Sequence, residues 1–212
     1  LKILILGAAG QVSVLLRKLV LEETNHELVL YGRRVSQRLS LVDPARETMI
    51  DGDFMDQEAL KCAMKSVDMV YLNDMNDPDA TKTIVEIMKQ TDTSFIIGAN
   101  ILGIYGEVVG AFGKWNAQMV GETSTKRHLA AANVVEQSSL NYVILRLTWL
   151  YNQAGNERYE LSQKGNPFIG AQVTREAVAR LIMDILKNPQ LFVGTNIGVS
   201  EPNTDWSKPA FY

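Results

Sequence analysis

The chain is poor in the residues that build covalently or metal-held folds. Of its 212 residues one is cysteine, Cys62, and two are histidine, His26 and His128. A single cysteine excludes an internal disulfide and suits a reducing compartment. Cys62 falls among Leu60, Ala63 and Met64 in a helical pattern and reads as packing. The histidines have no partners at metal-ligand spacing, so no metal site is expected. No apolar run approaches membrane-spanning length. Positive charge is not in excess either: 21 Lys and Arg stand against 24 Asp and Glu, a formal net charge of -3. That balance excludes a nucleic-acid binder working through bulk positive charge. These absences predict a cytoplasmic protein whose partner is a small molecule, with no direct nucleic-acid or membrane partner.

What the chain does have is an ordered alternation of apolar runs and amphipathic stretches. It begins with LKILILGAAGQVS, residues 1–13. Ile3, Leu4, Ile5 and Leu6 are what a strand buried on both faces needs. Gly7-Ala8-Ala9-Gly10 allows a tight turn and close approach of a ligand. From Gln11 onward, Val12, Leu15, Leu16, Leu19 and Val20 recur at helical spacing. Strand, glycine turn and helix in this order aim free N–H groups and the helix dipole at the turn, which makes an anion site. Gly7, Ala9, Gly10, Gln11 and Val12 are therefore candidates for cradling a dinucleotide pyrophosphate. The fingerprint is one glycine short: Ser13 stands where a third would allow close helix–strand packing.

Further strands are predicted over residues 27–31, 47–50, 67–72, 94–97 and 142–146, with a last one within 192–199. Helices are predicted to start at Asp56, Asp77, Thr123 and Thr174. This alternation predicts an α/β fold, a doubly wound parallel sheet forming a single domain over residues 1–212. The least regular stretches are 103–118, 151–170 and the tail after 200. The first two follow the fifth and sixth strands, and ligands in such folds lie beyond the carboxyl ends of strands. They are the expected substrate-side loops.

The strand ends narrow the ligand. A dinucleotide site for NAD usually carries an acid after the second strand, on the ribose hydroxyls. Here the sequence is Tyr31-Gly32-Arg33-Arg34. A guanidinium pair grips a 2′-phosphate and stacks on adenine, which favours NADP over NAD. The missing acid also argues against a methyltransferase. Asp53-Phe54 follows the third strand, where a carboxylate could accept from the adenine amino group. Leu72-Asn73-Asp74 ends the fourth, where it would border the adenosine ribose.

GAAGQVS, YGRR, DGDFMD and SLNYVILR resemble the atypical short-chain dehydrogenase/reductase group, and within it the NmrA-like single-domain NAD(P)-binding proteins. The resemblance runs over residues 1–186. It implies a Rossmann fold, NADP(H) as cofactor, and a role as reductase, epimerase or redox sensor. It also implies a Tyr-x-x-x-Lys pair on the helix after the fifth strand and a serine at that strand's end, the lysine lowering the tyrosine pKa for acid/base work. This chain departs there. No tyrosine has a lysine four residues later, the serine position falls at Ala99-Asn100, and Lys126 is preceded at that spacing by Glu122. Shifting the alignment brings in Ser124 and His128 instead. Hydride transfer to a conjugated acceptor needs positioning more than a dedicated tyrosine. Asn100, Tyr105, Lys126 and His128 are candidate donors to such a substrate, and Trp149 a candidate wall. The expected function is an NADP(H)-dependent oxidoreductase passing hydride to a small planar, flavin- or quinone-like acceptor without the Ser-Tyr-Lys triad. Two alternatives remain: a non-catalytic NADP(H)-sensing regulator with a protein partner, and a sugar-nucleotide epimerase or dehydratase.

Overall fold

The computed structural model describes residues 1–212. The chain runs β1 (Lys2–Leu6), α1 (Gln11–Glu23), β2 (Glu27–Gly32), α2 (Val35–Arg38), β3 (Glu47–Asp51) and α3 (Gln57–Ala63). It continues with β4 (Met69–Leu72), α4 (Pro78–Gln90), β5 (Phe95–Ile101), α5 (Gly110–Val120) and α6 (Glu122–Glu136). Then come β6 (Asn141–Leu147), β7 (Trp149–Tyr151), β8 (Glu160–Gln163), β9 (Gln172–Thr174), α7 (Arg175–Lys187) and β10 (Thr195–Ser200). Eight strands form one sheet in the order β3-β2-β1-β4-β5-β6-β10-β8. Every pairing in it is parallel except that of β8 with β10. β7 and β9 make a separate parallel pair.

The period of two along each strand divides the core between the two faces. Ile3 and Ile5 of β1 pack into one apolar cluster with Leu16 of α1 and Leu181, Ile182 and Ile185 of α7. Leu4 and Leu6 pack into the other, with Leu60, Ile84, Met88 and Val135 from α3, α4 and α6. Strands buried on both sides must be apolar, as β1 is from Ile3 to Leu6 and β4 is along its length. Three helices begin at side-chain caps: Asp56, Asp77 and Thr174 each accept a hydrogen bond from a first-turn amide.

Four stretches differ from the sequence expectation. Gly98, Ala99 and Asn100 lie inside β5, which pairs with β6 as far as Ile101. Gly98 makes no turn there. It leaves room for Met75, whose Sδ would stand 2.3 Å from a Cβ at that position. Residues 103–118 contain most of α5, whose signal is masked by Gly110 and Gly113. The stretch 151–170 contains the antiparallel β8. Cys62 is exposed, because Leu60, Ala63 and Met64 share a buried stripe that it falls outside.

One charge sits at the heart of the sheet. Arg146 of β6 is fully buried. Its Nη1 donates to Glu107 Oε1 at 2.6 Å and its Nε to Asn196 Oδ1 at 2.8 Å. The Glu107 carboxylate in turn accepts from the amides of Gly103 and Tyr105, both at 2.9 Å.

On the opposite face of the sheet, Glu23 at the end of α1 binds two cations of α7, Arg180 at 2.7 Å and Lys187 at 3.0 Å. The Arg180 and Lys187 hydrogen bonds hold its carboxyl down at about 2. A carboxyl depressed on folding stabilises the fold above its unfolded pKa and loses that contribution as pH falls through the folded value. Glu23→Gln is expected to cost about 1 kcal/mol at neutral pH, a magnitude set by the partial exposure of the network. The difference from the unaltered chain should shrink below pH 4.5 and vanish near 2 in urea unfolding followed by circular dichroism.

Candidate functional site

The strand order reverses beside β1, with β2 on one side and β4 on the other. Such a switch point opens a crevice at the carboxyl ends of the strands. The turn at residues 7–10 lines it, and its shape follows from two glycines. Gly7 has φ +85°, a conformation open to glycine. Gly10 has ordinary extended angles, but a Cβ on it would stand 2.3 Å from Asn73 Nδ2 and 3.2 Å from the Gly7 carbonyl oxygen. It is glycine for want of space. Gly7 and Ala8 donate to Tyr31 O and Gly10 donates to Gly7 O. The amides of Ala9, Gln11, Val12 and Ser13 have no protein acceptor, and no side chain caps α1. Unpaired donors at a helix start form an anion cradle.

The crevice has a volume of about 460 Å³. Gly7, Ala9, Gly10, Arg33, Asp53, Phe54, Asn73 and Asp74 all line it, so the structure brings these sequence candidates together. Others contribute differently. Val12 packs into the core, the Gln11 side chain is exposed, and the buried Leu72 side chain belongs to the opposite core cluster. Arg34 adopts φ +51° as the residue before α2, and the second guanidinium on the crevice is Arg38. Arg38 ends a four-residue helix, too short for its period to show in the sequence. Asp53 Oδ1 accepts the amides of Met55 and Asp56, which leaves Oδ2 unused. The Phe54 ring stacks on Tyr31 at 6.3 Å, and the Tyr31 hydroxyl donates to Asp53 O at 2.6 Å. Burial pushes the Tyr31 phenol up, so it stays protonated as that donor. Asp51 is held below the usual carboxylate range by the hydroxyl and amide of Ser36, which anchors α2 and its arginine.

A second cavity, about 370 Å³, adjoins the crevice and shares Asn73 and Asp74 with it. Leu102, Val120, Leu147, Trp149 and Leu150 make it apolar; Asn100, Ser124, His128 and Thr148 are its other polar residues. Asn100 is buried and occupied: its Nδ2 donates to His128 O at 2.9 Å and its Oδ1 accepts the Ile101 amide at 2.7 Å. His128 Nδ1 lies 2.8 Å from Ser124 O, a carbonyl that only accepts, so this nitrogen carries a proton. His128 Nε2 is 3.8 Å from Asp74 Oδ1.

Two sequence candidates lie elsewhere. Lys126 turns outward onto Glu122 at 2.5 Å, so the pair with Tyr-x-x-x-Lys spacing is a surface ion pair. Tyr105 lines neither cavity. Its hydroxyl is within hydrogen-bonding distance of Asn196 Nδ2 and Glu136 Oε1, and Lys164 lies 4.4 Å from its ring centroid. Burial and the Glu136 carboxylate raise its pKa, the reverse of what an acid/base tyrosine needs.

The fold, the amide cradle and the paired cavities agree with what the chain is similar to. A model of NAD(P)H-binding proteins matches residues 7–189. The chain belongs to this NAD(P)H-binding family. Among solved structures, a short-chain dehydrogenase/reductase from Veillonella parvula DSM 2008, in complex with NADP, is 37% identical with a TM-score of 0.96, over 99% of both chains. A Rossmann-fold NAD(P)-binding family protein from Shigella flexneri is 31% identical with a TM-score of 0.82, over 100% of this chain and 98% of that one. ChuY, an anaerobillin reductase from Escherichia coli O157:H7, is 20% identical with a TM-score of 0.77, over 99% of this chain and 100% of that one, a likeness of fold. A search of curated protein sequences found no match. The residues present fit the NAD(P)H of this family: unpaired amides for a pyrophosphate, a free carboxylate oxygen and an aromatic face for a base, and two guanidiniums without ion pairs.

The packing at Gly10 gives a direct test. Gly10→Ala is expected to force Asn73 off the turn, costing about 1–3 kcal/mol of stability as overpacking does. It should also weaken NADPH binding, measured by calorimetry alongside guanidinium unfolding.

Proposed function

We propose that the protein is an NADP(H)-dependent reductase that delivers hydride to a small planar, conjugated acceptor. The observation that carries this reading is the shared wall: Asn73 and Asp74 border both the dinucleotide crevice and the apolar cavity. Arg33 and Arg38, on the ribose side of the crevice and free of carboxylate partners, support NADP over NAD. The 37% identical short-chain dehydrogenase/reductase in complex with NADP supports the same choice. Bound there, the reduced nicotinamide supplies a hydride.

The chain's own residues do the rest. Leu102, Leu147, Trp149 and Leu150 exclude water from the acceptor side and offer flat and aliphatic surface to a ring system. Asn100 is tied between β5 and α6 and positions His128 through its backbone carbonyl. His128 is the proton donor: Nδ1–H is held by Ser124 O, and the protonated Nε2 gives up its proton to the acceptor after hydride arrives. Asp74, exposed 3.8 Å from Nε2, stands between that nitrogen and solvent. The fold shared with ChuY, an anaerobillin reductase, is compatible with a reductase.

Two measurements test this. Arg33→Ala with Arg38→Ala is expected to weaken NADPH about 10–100-fold and NADH far less, the scale of lost charge-assisted hydrogen bonds. Equal losses would remove the 2′-phosphate assignment. NADPH oxidation is expected with a panel of quinones and flavins, and His128→Gln should lower kcat about 10²-fold with KM little changed. Tight NADPH binding without turnover on any of these would favour a cofactor-sensing regulator instead.

A further inference from the structure

The tail that follows β10, residues 201–212, lines neither the crevice nor the apolar cavity, yet it is tied to the strand pair that carries Trp149. The amides of Glu201 and Ala210 both donate to Gln172, to its carbonyl oxygen and its Oε1, each at 2.9 Å. Between them Thr204 O accepts the Ala171 amide at 2.9 Å. Gln172 of β9 is the residue that pairs with Trp149 of β7. The tail is thereby fastened at the strand position that presents a wall of the apolar cavity. What it brings there is aromatic. Tyr212 meets Trp149 edge-on, with ring centroids 5.2 Å apart and planes at 80°. Trp115 of α5 meets the same indole at 4.8 Å and 58°, and Tyr212 and Trp115 lie 5.2 Å from each other. Tilted and edge-to-face pairs are the arrangements that ring quadrupoles favour. Three rings in mutual contact hold one another in place. The indole N–H adds a directional bond, donating to Asn116 Oδ1 at 2.9 Å.

Trp115 and Tyr212 touch Trp149 without lining the cavity, so they back the indole on the side away from the acceptor. Tyr212 is itself 52% exposed. A ring left half in water adds little to the core, and its defined contact is with the wall. An indole braced by two rings and pinned at its nitrogen does not retreat when a bulky molecule enters. We propose that Tyr212 and Trp115 are positioning residues for Trp149, and that this clamp restricts the apolar cavity to flat ring systems. The proposal rests on the reading of that cavity as the acceptor side, and it names what that side selects, which is thickness. A planar quinone or flavin ring lies against the indole as it stands. A globular hydrocarbon of the same carbon count needs the wall to move, and moving it breaks the aromatic contacts.

The test is ligand binding to the full-length protein loaded with NADP⁺, where no hydride can move and the result does not depend on turnover. Naphthol and adamantanol have the same carbon count and a single hydroxyl, and differ in flatness. The unaltered protein is expected to prefer naphthol at least about tenfold by calorimetry, the scale of overpacking against a fixed wall. Tyr212→Ala, at an exposed position that does not threaten folding, should cut that preference about three- to tenfold through tighter adamantanol binding. Its NADP⁺ affinity should stay unchanged. Tyr212→Phe keeps the ring and should keep the preference. In ¹⁵N-labelled protein the Trp149 indole N–H resonance, assigned by its loss in Trp149→Phe, should move and broaden in Tyr212→Ala and hold its place in Tyr212→Phe. A preference unchanged in both Tyr212→Ala and Trp115→Leu overturns the clamp and leaves the acceptor reading standing. So does a loss of NADP⁺ affinity as large as the loss of preference, which would be general loosening. If naphthol does not bind the unaltered protein, the acceptor reading falls and the clamp with it.

Discussion

A guanidinium buried in the middle of a sheet has to be neutralised, and the substrate side of this protein is arranged around how that is done. Arg146 sits fully buried on β6, and Glu107 meets it with a short ion pair. Losing one partner of such a pair typically costs about 3–5 kcal/mol, because the other charge stays buried. Glu107 belongs to the segment after β5, so neutralising Arg146 draws that segment back over the sheet. The same carboxylate then takes the amides of Gly103 and Tyr105 and gives the segment one conformation. α5 starts from there, and with it the positions of Asn116 and of the Trp149 wall. One electrostatic requirement in the core thus sets the shape of the apolar cavity.

The cofactor side depends on a different constraint, close approach of backbone. The turn between β1 and α1 is pressed against Asn73 at the end of β4, with no room for a Cβ at Gly10. That contact joins the anion cradle to the strand end shared by both cavities. A ligand that extends from the cradle toward β4 meets the apolar cavity next. Proximity of the two compartments is a property of the β1–β4 pairing and needs no moving part.

The sheet and the cradle were legible because they rest on local patterns. Four consecutive apolar residues before Gly7, and helical spacing after Gly10, leave few alternatives to strand, turn and helix. Gly98 misled because a glycine inside a strand and a glycine at its end read alike; only the Met75 side chain crossing over it separates them. Arg38 was hidden for a related reason: a four-residue helix has too little period to detect. Tyr105 looked like a pocket residue from its glycine-flanked loop, but its ring lies in the polar cluster around Glu136, on residues distant in sequence. The partnerships of Glu107 with Arg146 and of Asn116 with Trp149 span 39 and 33 positions. Nothing local announces pairs of that kind.

The antiparallel strand β8 has a consequence for how these molecules coexist in solution. It forms one edge of the large sheet, and an edge strand presents unpaired backbone groups that could recruit a strand from another chain. β8 is four residues long and reads Glu-Leu-Ser-Gln, with its outer side chains mostly polar. At the opposite edge, β3 ends on Asp51, whose carboxylate is committed to Ser36. Both borders of the sheet are short and carry charge or polar groups where an incoming strand would need to lie. A strand added at either border would have to lie against those charged or polar groups, which disfavours extension of the sheet beyond eight strands.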